Sequence, residues 1–153
     1  MKSFLLKGKR PIIRWSKLPD ETYFEGNLPE GYSLAVMPSE GYVVVDVDRH
    51  GDINGFDAIP DNLKFELAQT LKYTTKNNGY HYWFKYTGDK YLGNKASGQG
   101  IDLRVGCKGY VVWYPSEDVR DCMKDVKESS EKMNEWLEKL FSYVDNNKNK
   151  NKT

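Results

Sequence analysis

Two aspartates at the end of an apolar run are the residues of this sequence best suited to metal chemistry. Asp46 and Asp48 follow the valine-rich run 42–45, and a single valine separates them. Side chains at i and i+2 point to the same face of a strand. Two carboxylates held this close suit Mg²⁺ or Mn²⁺, which prefer oxygen ligands and leave positions for water and phosphate. The pattern predicts a phosphoryl-transfer site, if the chain also supplies a third ligand and groups that bind phosphate.

A third carboxylate occurs in the run 100–106. Asp102 and Arg104 are again two residues apart, so they share one face of a predicted strand. An aspartate beside an arginine is equally consistent with a cross-strand ion pair. The identity of the third ligand therefore stays open on this pattern alone.

The run 80–86 carries the second set of polar residues. His81 and Lys85 alternate with aromatic residues, so one strand face presents an imidazole and an ammonium group and the other is aromatic core. The two groups could bind the triphosphate of a nucleotide, one as a hydrogen-bond donor and one as a point charge. The alternative for His81 is a partly buried histidine whose hydrogen bonds are satisfied within the fold.

Turn signals and periodicity outline the elements that must position these residues. Apolar or aromatic runs bounded by Gly, Pro and Asp predict strands. The predicted strands are 12–15, 32–37, 42–48, 80–86, 100–105 and 110–114. Residues 49–55 are predicted to be a polar loop. No internal repeat is present in the sequence.

Two helices are predicted from apolar spacing. The first begins at Pro60 or Asp61 and continues through Leu71, with Phe65 among its apolar residues. The second covers about 129–144, and its apolar face is expected to pack on the sheet. We expect one domain at 1–144, followed by a disordered Lys/Asn-rich tail at 145–153.

Composition excludes several classes of protein. The 153 residues are 39% hydrophobic, enough for one compact core, and the net charge of +1 means that any nucleic-acid affinity must come from local clusters. Cys107 and Cys122 have no metal-ligand spacing, so neither a disulfide framework nor a zinc site is predicted. No window is long and apolar enough for a membrane span or a signal peptide. We expect a soluble, cytoplasmic protein.

Four motifs in this order resemble the archaeo-eukaryotic primase superfamily, and more closely the bifunctional primase/polymerase domain of plasmids, phages and prophages. The motifs are Val44–Asp48, Thr75–His81, Gly100–Arg104 and Gly109–Ser116. In addition, Lys7-Gly-Lys-Arg-Pro11 is similar to the Gly-Lys-x-Pro segment that opens that domain. The resemblance covers residues 7–116, about three quarters of the chain, and depends on order and spacing because no single motif is specific.

The resemblance implies a fold and a set of site residues. The implied fold is α+β, an RRM-like mixed or antiparallel sheet with flanking helices and a cleft beside the sheet. Asp46 and Asp48 match the first metal-binding motif, and Asp102 matches the third acid, which makes these three both catalytic residues and metal ligands. His81 matches the histidine that contacts the phosphates of the incoming nucleotide.

Further nucleotide contacts are assigned around that histidine. Arg104 matches a basic position after the third acid, and Lys85 and Asn78 are added as nucleotide-binding residues. The family commonly has Ser-Gly-Gly-x-His here, whereas this chain has Asn77 and Asn78 in place of the serine and the first glycine. Nucleotide affinity is therefore harder to predict than metal binding.

The implied chemistry is in-line nucleotidyl transfer with NTP or dNTP substrates and two Mg²⁺ or Mn²⁺ ions. One ion would activate a 3′-hydroxyl, and the second would bind the triphosphate and stabilise the leaving pyrophosphate. The partners implied are a single-stranded DNA template and a separately encoded helicase or other replication protein, in a bacterial host cell. The predicted contacts to template phosphates are Lys9, Arg10, Lys76 and Lys95.

Three aromatic residues are candidate platforms for bases, namely Trp15, Tyr91 and Tyr114.

Two other functions stay open. The chain could be a catalytically weak nucleic-acid or nucleotide-binding module that works through partners, using the Trp136 helix or the tail. It could also be a metal-dependent nuclease, although a nicking enzyme needs paired histidines and His50 and His81 are far apart in sequence.

Overall fold

The computed structural model describes residues 1–142. In that part of the chain the strands β1 to β12 are, in order, Lys2–Lys7, Arg10–Pro11, Tyr32–Met37, Tyr42–Val47, Arg49–His50, Ile53–Asn54, Lys72–Thr74, Tyr80–Lys85, Lys95–Ala96, Ile101–Val105, Val111–Trp113 and Lys127–Glu128. The α-helices α1 to α3 are Asp61–Gln69, Val119–Cys122 and Glu131–Phe141. The predicted tail at 145–153 lies outside the described residues, as do the last two residues of the predicted 129–144 helix.

Two β-sheets form the frame. The larger sheet has the strand order β12-β8-β4-β10-β9, and β7 pairs with the same edge of β8 as β12. Its pairs are antiparallel except for β12 with β8, which is parallel. The smaller sheet is antiparallel in the order β11-β3-β1-β2, and β5 pairs with β6 as a separate hairpin. The expected α+β class with a mixed sheet is confirmed, although the chain builds two sheets where one was expected.

Alternation in the central strand β4 explains how the layers stack. Val43, Val45 and Val47 point to the side covered by α1 and α3, whereas Val44 points to the smaller sheet. A strand buried on both faces has a near-continuous apolar sequence, as this one does. The residues of the helices that complete the first core are Leu63, Leu67, Met133, Leu137 and Phe141.

The core between the two sheets is aromatic. Trp83 of β8 is fully buried beside Val44, Val36 and Trp113, with the Trp83 and Trp113 rings 6.0 Å apart and nearly perpendicular. Edge-to-face rings at this spacing are a favourable aromatic arrangement. This core therefore fixes how far the smaller sheet stands from the polar end of β4 and β8.

Several predicted elements differ from the structure. The strand predicted at 12–15 is wrong, because regular pairing with β1 ends at Arg10–Pro11, after which only the N–H of Ile12 still donates to the carbonyl of Leu5, and Trp15 begins a 3₁₀ turn. Residues 49–55 form a hairpin instead of an unpaired loop. Helix α1 ends at Gln69, and Phe65 is 77% exposed because only positions four apart face the sheet. The expectation that the last helix packs on the sheet is confirmed.

Candidate active site

Four polar side chains lie in a single row across the larger sheet. The register pairs Tyr73 of β7 with His81 of β8, His81 with Asp46 of β4, and Asp46 with Asp102 of β10. Directly opposite residues on neighbouring strands point to the same face, with Cβ atoms about 4.5–5.5 Å apart. We call Tyr73, His81, Asp46 and Asp102 the cross-sheet row.

The centre of the cross-sheet row brings two carboxyl groups together. Burial, followed by the negative charge of Asp46, raises the pKa of Asp102, and the nearby Arg104 offsets this only in part. On the other side of Asp46, the Nε2 atom of His81 is 3.6 Å from Asp46 Oδ1. The two acids therefore repel each other in the folded protein, and a bound cation would relieve that repulsion.

Asp48 lies one residue beyond the end of β4 and is held by its backbone. Its N–H donates to the carbonyl of Gly100 and its carbonyl accepts from the N–H of Gly55, both at 2.8 Å. Its side chain is turned to the following hairpin, where Oδ1 accepts the N–H of Arg49 at 2.8 Å. Asp48 Oδ2 is 3.5 Å from Nδ1 of His50. The backbone of Asp48 is thus fixed beside β10, and its carboxylate is oriented by Arg49 and His50.

The donor set fits a divalent cation at two of its three positions. Asp46 and Asp102 offer only oxygen ligands, side by side, which suits Mg²⁺ or Mn²⁺. Within residues 1–142, however, no group of three acidic, histidine or cysteine side chains has the arrangement of a metal site. Asp48 also lines the cleft, and the oxygen lone pairs that do not accept the N–H of Arg49 are available to complete the set once the three carboxylates come together.

An open cleft of about 420 Å³ lies beside the cross-sheet row. Its cationic lining consists of Lys9, Lys76 and Arg104, and its acidic lining consists of Asp46 and Asp48. Asp102 lies beside Asp46 but is not part of the lining. Positive side chains near a pair of carboxylates are suited to bind a polyphosphate, because they and a bound metal ion would together neutralise its negative charge. The full lining is Leu6, Gly8, Lys9, Asp46, Asp48, Thr75, Lys76, Asn77, His81, Arg104, Tyr110, Val111, Val112 and Tyr114.

Three of the predicted basic contacts are not brought to this cleft. Lys85 pairs with Tyr42 at the far end of β8, four residues and about 13 Å along the strand from His81. Lys95 pairs with Leu103, whose side chain is buried on the helix side, so Lys95 points away from Asp102. Arg10 is exposed in the β1–β2 hairpin and lies outside the cleft lining. The structure therefore places all three residues outside the cleft lining.

The loop before β8 places a different asparagine at the cleft from the one predicted. Asn77 lines the cleft, whereas Asn78 does not. Both adopt left-handed backbone conformations, with φ of 66° and 62°, which asparagine tolerates better than most residues. Because two successive residues adopt this conformation, the side-chain direction could not be predicted from the family position alone.

Only one of the three predicted aromatic platforms lies at the cleft. Tyr114 is 44% exposed, lines the cleft and has its ring 6.1 Å from that of His81. Trp15 instead stacks on Phe4 at 6.0 Å within a separate core cluster. Tyr91 lies outside the cleft lining, with the ammonium group of Lys108 3.7 Å from its ring centroid.

Two residues near the acids were not predicted as site residues. Tyr73 is part of the cross-sheet row because residues 72–74 form β7, a short strand that was not predicted directly after the first helix. His50 lies at the acids because the 49–55 segment turns back as a hairpin. The two histidines are far apart in sequence, yet each has a ring nitrogen within 3.6 Å of a carboxylate oxygen of the site.

Comparison with known proteins decides the family. A family model described as "Bifunctional DNA primase/polymerase, N-terminal" (Prim-Pol) matches residues 7–139, nearly the whole chain. The chain belongs to the Prim-Pol family. The suspected resemblance is confirmed, and Prim-Pol membership points to nucleotidyltransferase activity in general, with divalent metals and nucleotides as the usual requirements. A search of curated proteins gave no match. Within the described part of this Prim-Pol chain, no helix is long and apolar enough to cross a membrane.

The repulsion in the cross-sheet row leads to a stability prediction for the Prim-Pol domain. Because the pKa of Asp102 is raised in the folded state, its charged form destabilises the fold above that pKa. In a metal-free buffer at neutral pH, Asp102→Asn is expected to raise Tm by about 2 °C, a small gain because the carboxyl group is only half-buried. The gain should shrink as the pH falls through the folded-state pKa, since the carboxyl group then becomes neutral.

Thermal unfolding of wild-type protein and Asp102→Asn in EDTA, over a series of pH values, measures this effect. Asp89→Asn provides the control, because Asp89 is an exposed loop residue and its substitution removes the same charge away from the cleft. A lower Tm for Asp102→Asn at neutral pH, or a gain that grows in acid, would contradict the proposed repulsion.

Proposed function

We propose that this Prim-Pol chain is a template-dependent nucleotidyltransferase that joins NTP or dNTP to a nucleic-acid strand. The observation that carries the proposal is the cross-sheet row, whose Asp46 and His81 line a cleft together with three cationic residues and Asp48. Asp102 is outside the lining but lies directly beside Asp46 on the neighbouring strand. Carboxylates that hold metal and cations that hold phosphate are the two requirements of in-line phosphoryl transfer.

The metal requirement is assigned to three acids. Asp46, Asp102 and Asp48 would hold the divalent cations. When bound, Mg²⁺ or Mn²⁺ supplies activation of the attacking hydroxyl and stabilisation of charge on the transferred phosphoryl group. Before metal binds, the same acids repel one another, so the protein favours the cation at this position over an empty row.

The remaining cleft residues bind and orient the substrate. Lys9 and Lys76, on different loops, neutralise phosphate charge, and Arg104 can contact phosphate oxygens in a bidentate manner. Nε2 of His81 is directed to the same space. Tyr114 offers an exposed ring for stacking of a base. Together these groups would place the α-phosphate next to the carboxylates.

The setting that we propose is replication of a phage, a plasmid or an integrated element in a bacterial cytoplasm. Single-stranded DNA would be the template, and a separately encoded helicase or other replication protein would expose it. Family membership supports a role in DNA replication.

The carbonyl of Lys9 also accepts a hydrogen bond from the hydroxyl of Tyr110, which connects the β1–β2 hairpin to the wall of the cleft.

A primer-extension assay tests the proposal. Wild-type protein and the double variant Asp46→Ala/Asp48→Ala are incubated with single-stranded template, with and without primer, in Mg²⁺ or Mn²⁺ and labelled NTP or dNTP. We expect longer products only with the wild-type protein. Shortened strands would instead support the nuclease alternative, and absence of product from a folded, metal-loaded wild type would overturn the transferase proposal.

A second candidate function has one observation in its favour. The carboxylate of Asp48 is engaged by Arg49 and His50, and the described residues contain no complete three-ligand metal group. This arrangement fits a module that binds nucleotide or single strands through its cations without transferring a phosphoryl group. Binding of labelled nucleotide with no product in the extension assay, at saturating metal, would favour this candidate.

The positions of the lysines predict which of them contact nucleic acid. Lys9→Ala/Lys76→Ala is expected to bind a single-stranded oligonucleotide about tenfold more weakly at low salt, and to reduce the salt slope by about 0.7 for each phosphate that is no longer neutralised. Lys85→Ala/Lys95→Ala removes the same charge outside the cleft lining and should bind like wild type. Fluorescence anisotropy across a salt series measures both. Equal weakening in the two double variants would mean that only net charge matters.

A further inference from the structure

The hydroxyl of Tyr73 lies between two ring nitrogens in the interior of the site. Nε1 of Trp83 donates to this hydroxyl at 3.0 Å, and Nδ1 of His81 lies 3.1 Å from it. Trp83 is fully buried and His81 is 6% exposed. Tyr73 is paired directly with His81 across β7 and β8, so sheet register holds the contact in place.

Counting donors decides the direction of these hydrogen bonds. An indole N–H can only donate, so the oxygen of Tyr73 is an acceptor from Trp83. The single hydroxyl proton of Tyr73 then needs an acceptor, and Nδ1 of His81 lies at hydrogen-bonding distance from it. Burial raises the pKa of Tyr73, which keeps that proton on the hydroxyl. The opposite direction would leave the proton of this partly buried hydroxyl without a protein acceptor, which is unfavourable.

An acceptor at Nδ1 places the imidazole proton on Nε2. That nitrogen is the one on the side of Asp46 and the cleft, at 3.6 Å from Asp46 Oδ1. The other ring nitrogen faces Tyr73, which is not part of the cleft lining. In a neutral histidine the partner of one nitrogen sets the role of the other. The cleft therefore receives a hydrogen-bond donor.

We propose that Tyr73 is a positioning residue that holds His81 in the Nε2–H tautomer, so that His81 presents a donor to the phosphate oxygens of a bound nucleoside triphosphate. Trp83 orients the Tyr73 hydroxyl by donating to it, so a residue of the core between the two sheets helps to set the tautomer of His81. The inference rests on the proposed function for its substrate, but the tautomer belongs to the free protein.

Nitrogen NMR of the metal-free, nucleotide-free protein tests the tautomer directly. The chain has two histidines, so ¹⁵N-histidine labelling gives two ring systems, and His50→Gln assigns them. We expect Nδ1 of His81 to have the shift of an unprotonated ring nitrogen and Nε2 that of a protonated one, and Tyr73→Phe to give a mixture of tautomers. A proton on Nδ1 in the wild type, or no change in Tyr73→Phe, would overturn the inference.

A matched variant separates this effect from a general loosening of packing. Tyr82→Phe removes a hydroxyl from another buried tyrosine of the same sheet, on the opposite face of β8. It should leave the ring nitrogens of His81 unchanged. If Tyr82→Phe altered them as much as Tyr73→Phe, the shift would reflect loosening of the sheet and the proposal would fall.

Nucleotide binding tests the consequence of the tautomer. Tyr73→Phe is expected to weaken binding of a nucleoside triphosphate in Mg²⁺ by about fivefold, and by less than about twofold in a His81→Gln background, where the amide donor has no tautomer to lose. Equal weakening in both backgrounds would show that Tyr73 does not act through His81. A locked tautomer in a protein that makes no product would refute the proposed function and leave the tautomer assignment standing.

Discussion

Asp46→Asn is expected to reduce nucleotide incorporation by about 10³-fold or more, because the metal would lose a central charged ligand. Asp46 lies between His81 and Asp102 in the cross-sheet row, so its charge would act on both the metal and the histidine. The fold should survive, because Asn is isosteric and its neutrality relieves the repulsion that raises the pKa of Asp102. Incorporation rate and Tm, measured on the same preparation, test both statements.

The control for Asp46→Asn is Asp89→Asn, which removes one carboxylate outside the cleft lining. It should keep wild-type incorporation. Excess Mn²⁺ should not restore Asp46→Asn, because the missing ligand is part of the site itself. Incorporation within about tenfold of wild type in Asp46→Asn would mean that the row does not hold the reactive metal, whatever other acids contribute.

Gly100→Ala is expected to lower Tm by about 10 °C and to reduce activity well below that temperature. Gly100 has φ of +83°, and a Cβ there would be 2.8 Å from the backbone nitrogen of Gly55 and 3.0 Å from the carbonyl oxygen of Asp48. Both of these contacts are with backbone atoms, so nothing flexible can move aside. Relief of the overlap must shift Asp48, whose N–H is hydrogen-bonded to Gly100.

Gly98→Ala separates backbone strain from steric overlap. Gly98 has nearly the same φ, +81°, but an added Cβ would have no atom within 4 Å. It should cost only the left-handed penalty of about 1–2 kcal/mol, or about 3–5 °C in Tm, and leave transfer activity intact. Thermal melts and incorporation assays of the two variants side by side test the difference. If the two variants behaved alike, close packing at Asp48 would not matter.

Alternation along single strands was enough to predict much of the site. It placed Asp46 and Asp48 on one face and His81 on the face opposite Tyr82 and Phe84, because that pattern depends on only a few neighbouring residues. The expected polar face of β8 is wrong at Trp83, which lies on the His81 side and is buried in the core between the two sheets. Pairing between distant strands was not predictable, since it depends on which edges meet. Because Lys95 pairs with Leu103, its side chain points away from the acids. Because Tyr73 pairs with His81, its side chain lies on the same face as the acids.

The fold shows the same division between local and distant information. The long β-rich runs and the amphipathic last helix follow from periodicity within the segment. Strand β1, Lys2–Lys7, was not predicted because it lies in a turn-rich region and becomes a strand only through its pairing with β3. The 12–15 prediction failed for the complementary reason, since apolar composition cannot keep the chain beside β1 beyond the single hydrogen bond of Ile12 to Leu5.

The register of β4 ties correct assembly to chemical competence. A slip of one residue against β8 or β10 would turn Asp46 into the apolar layer under the helices and expose Val45 or Val47 to the cleft. A register slip would therefore disrupt the apolar core and remove the carboxylate from the cleft together. Misassembled molecules should therefore be unstable and should not accumulate as folded but inactive protein. In a preparation, the concentration of folded protein should then equal the concentration of intact active sites.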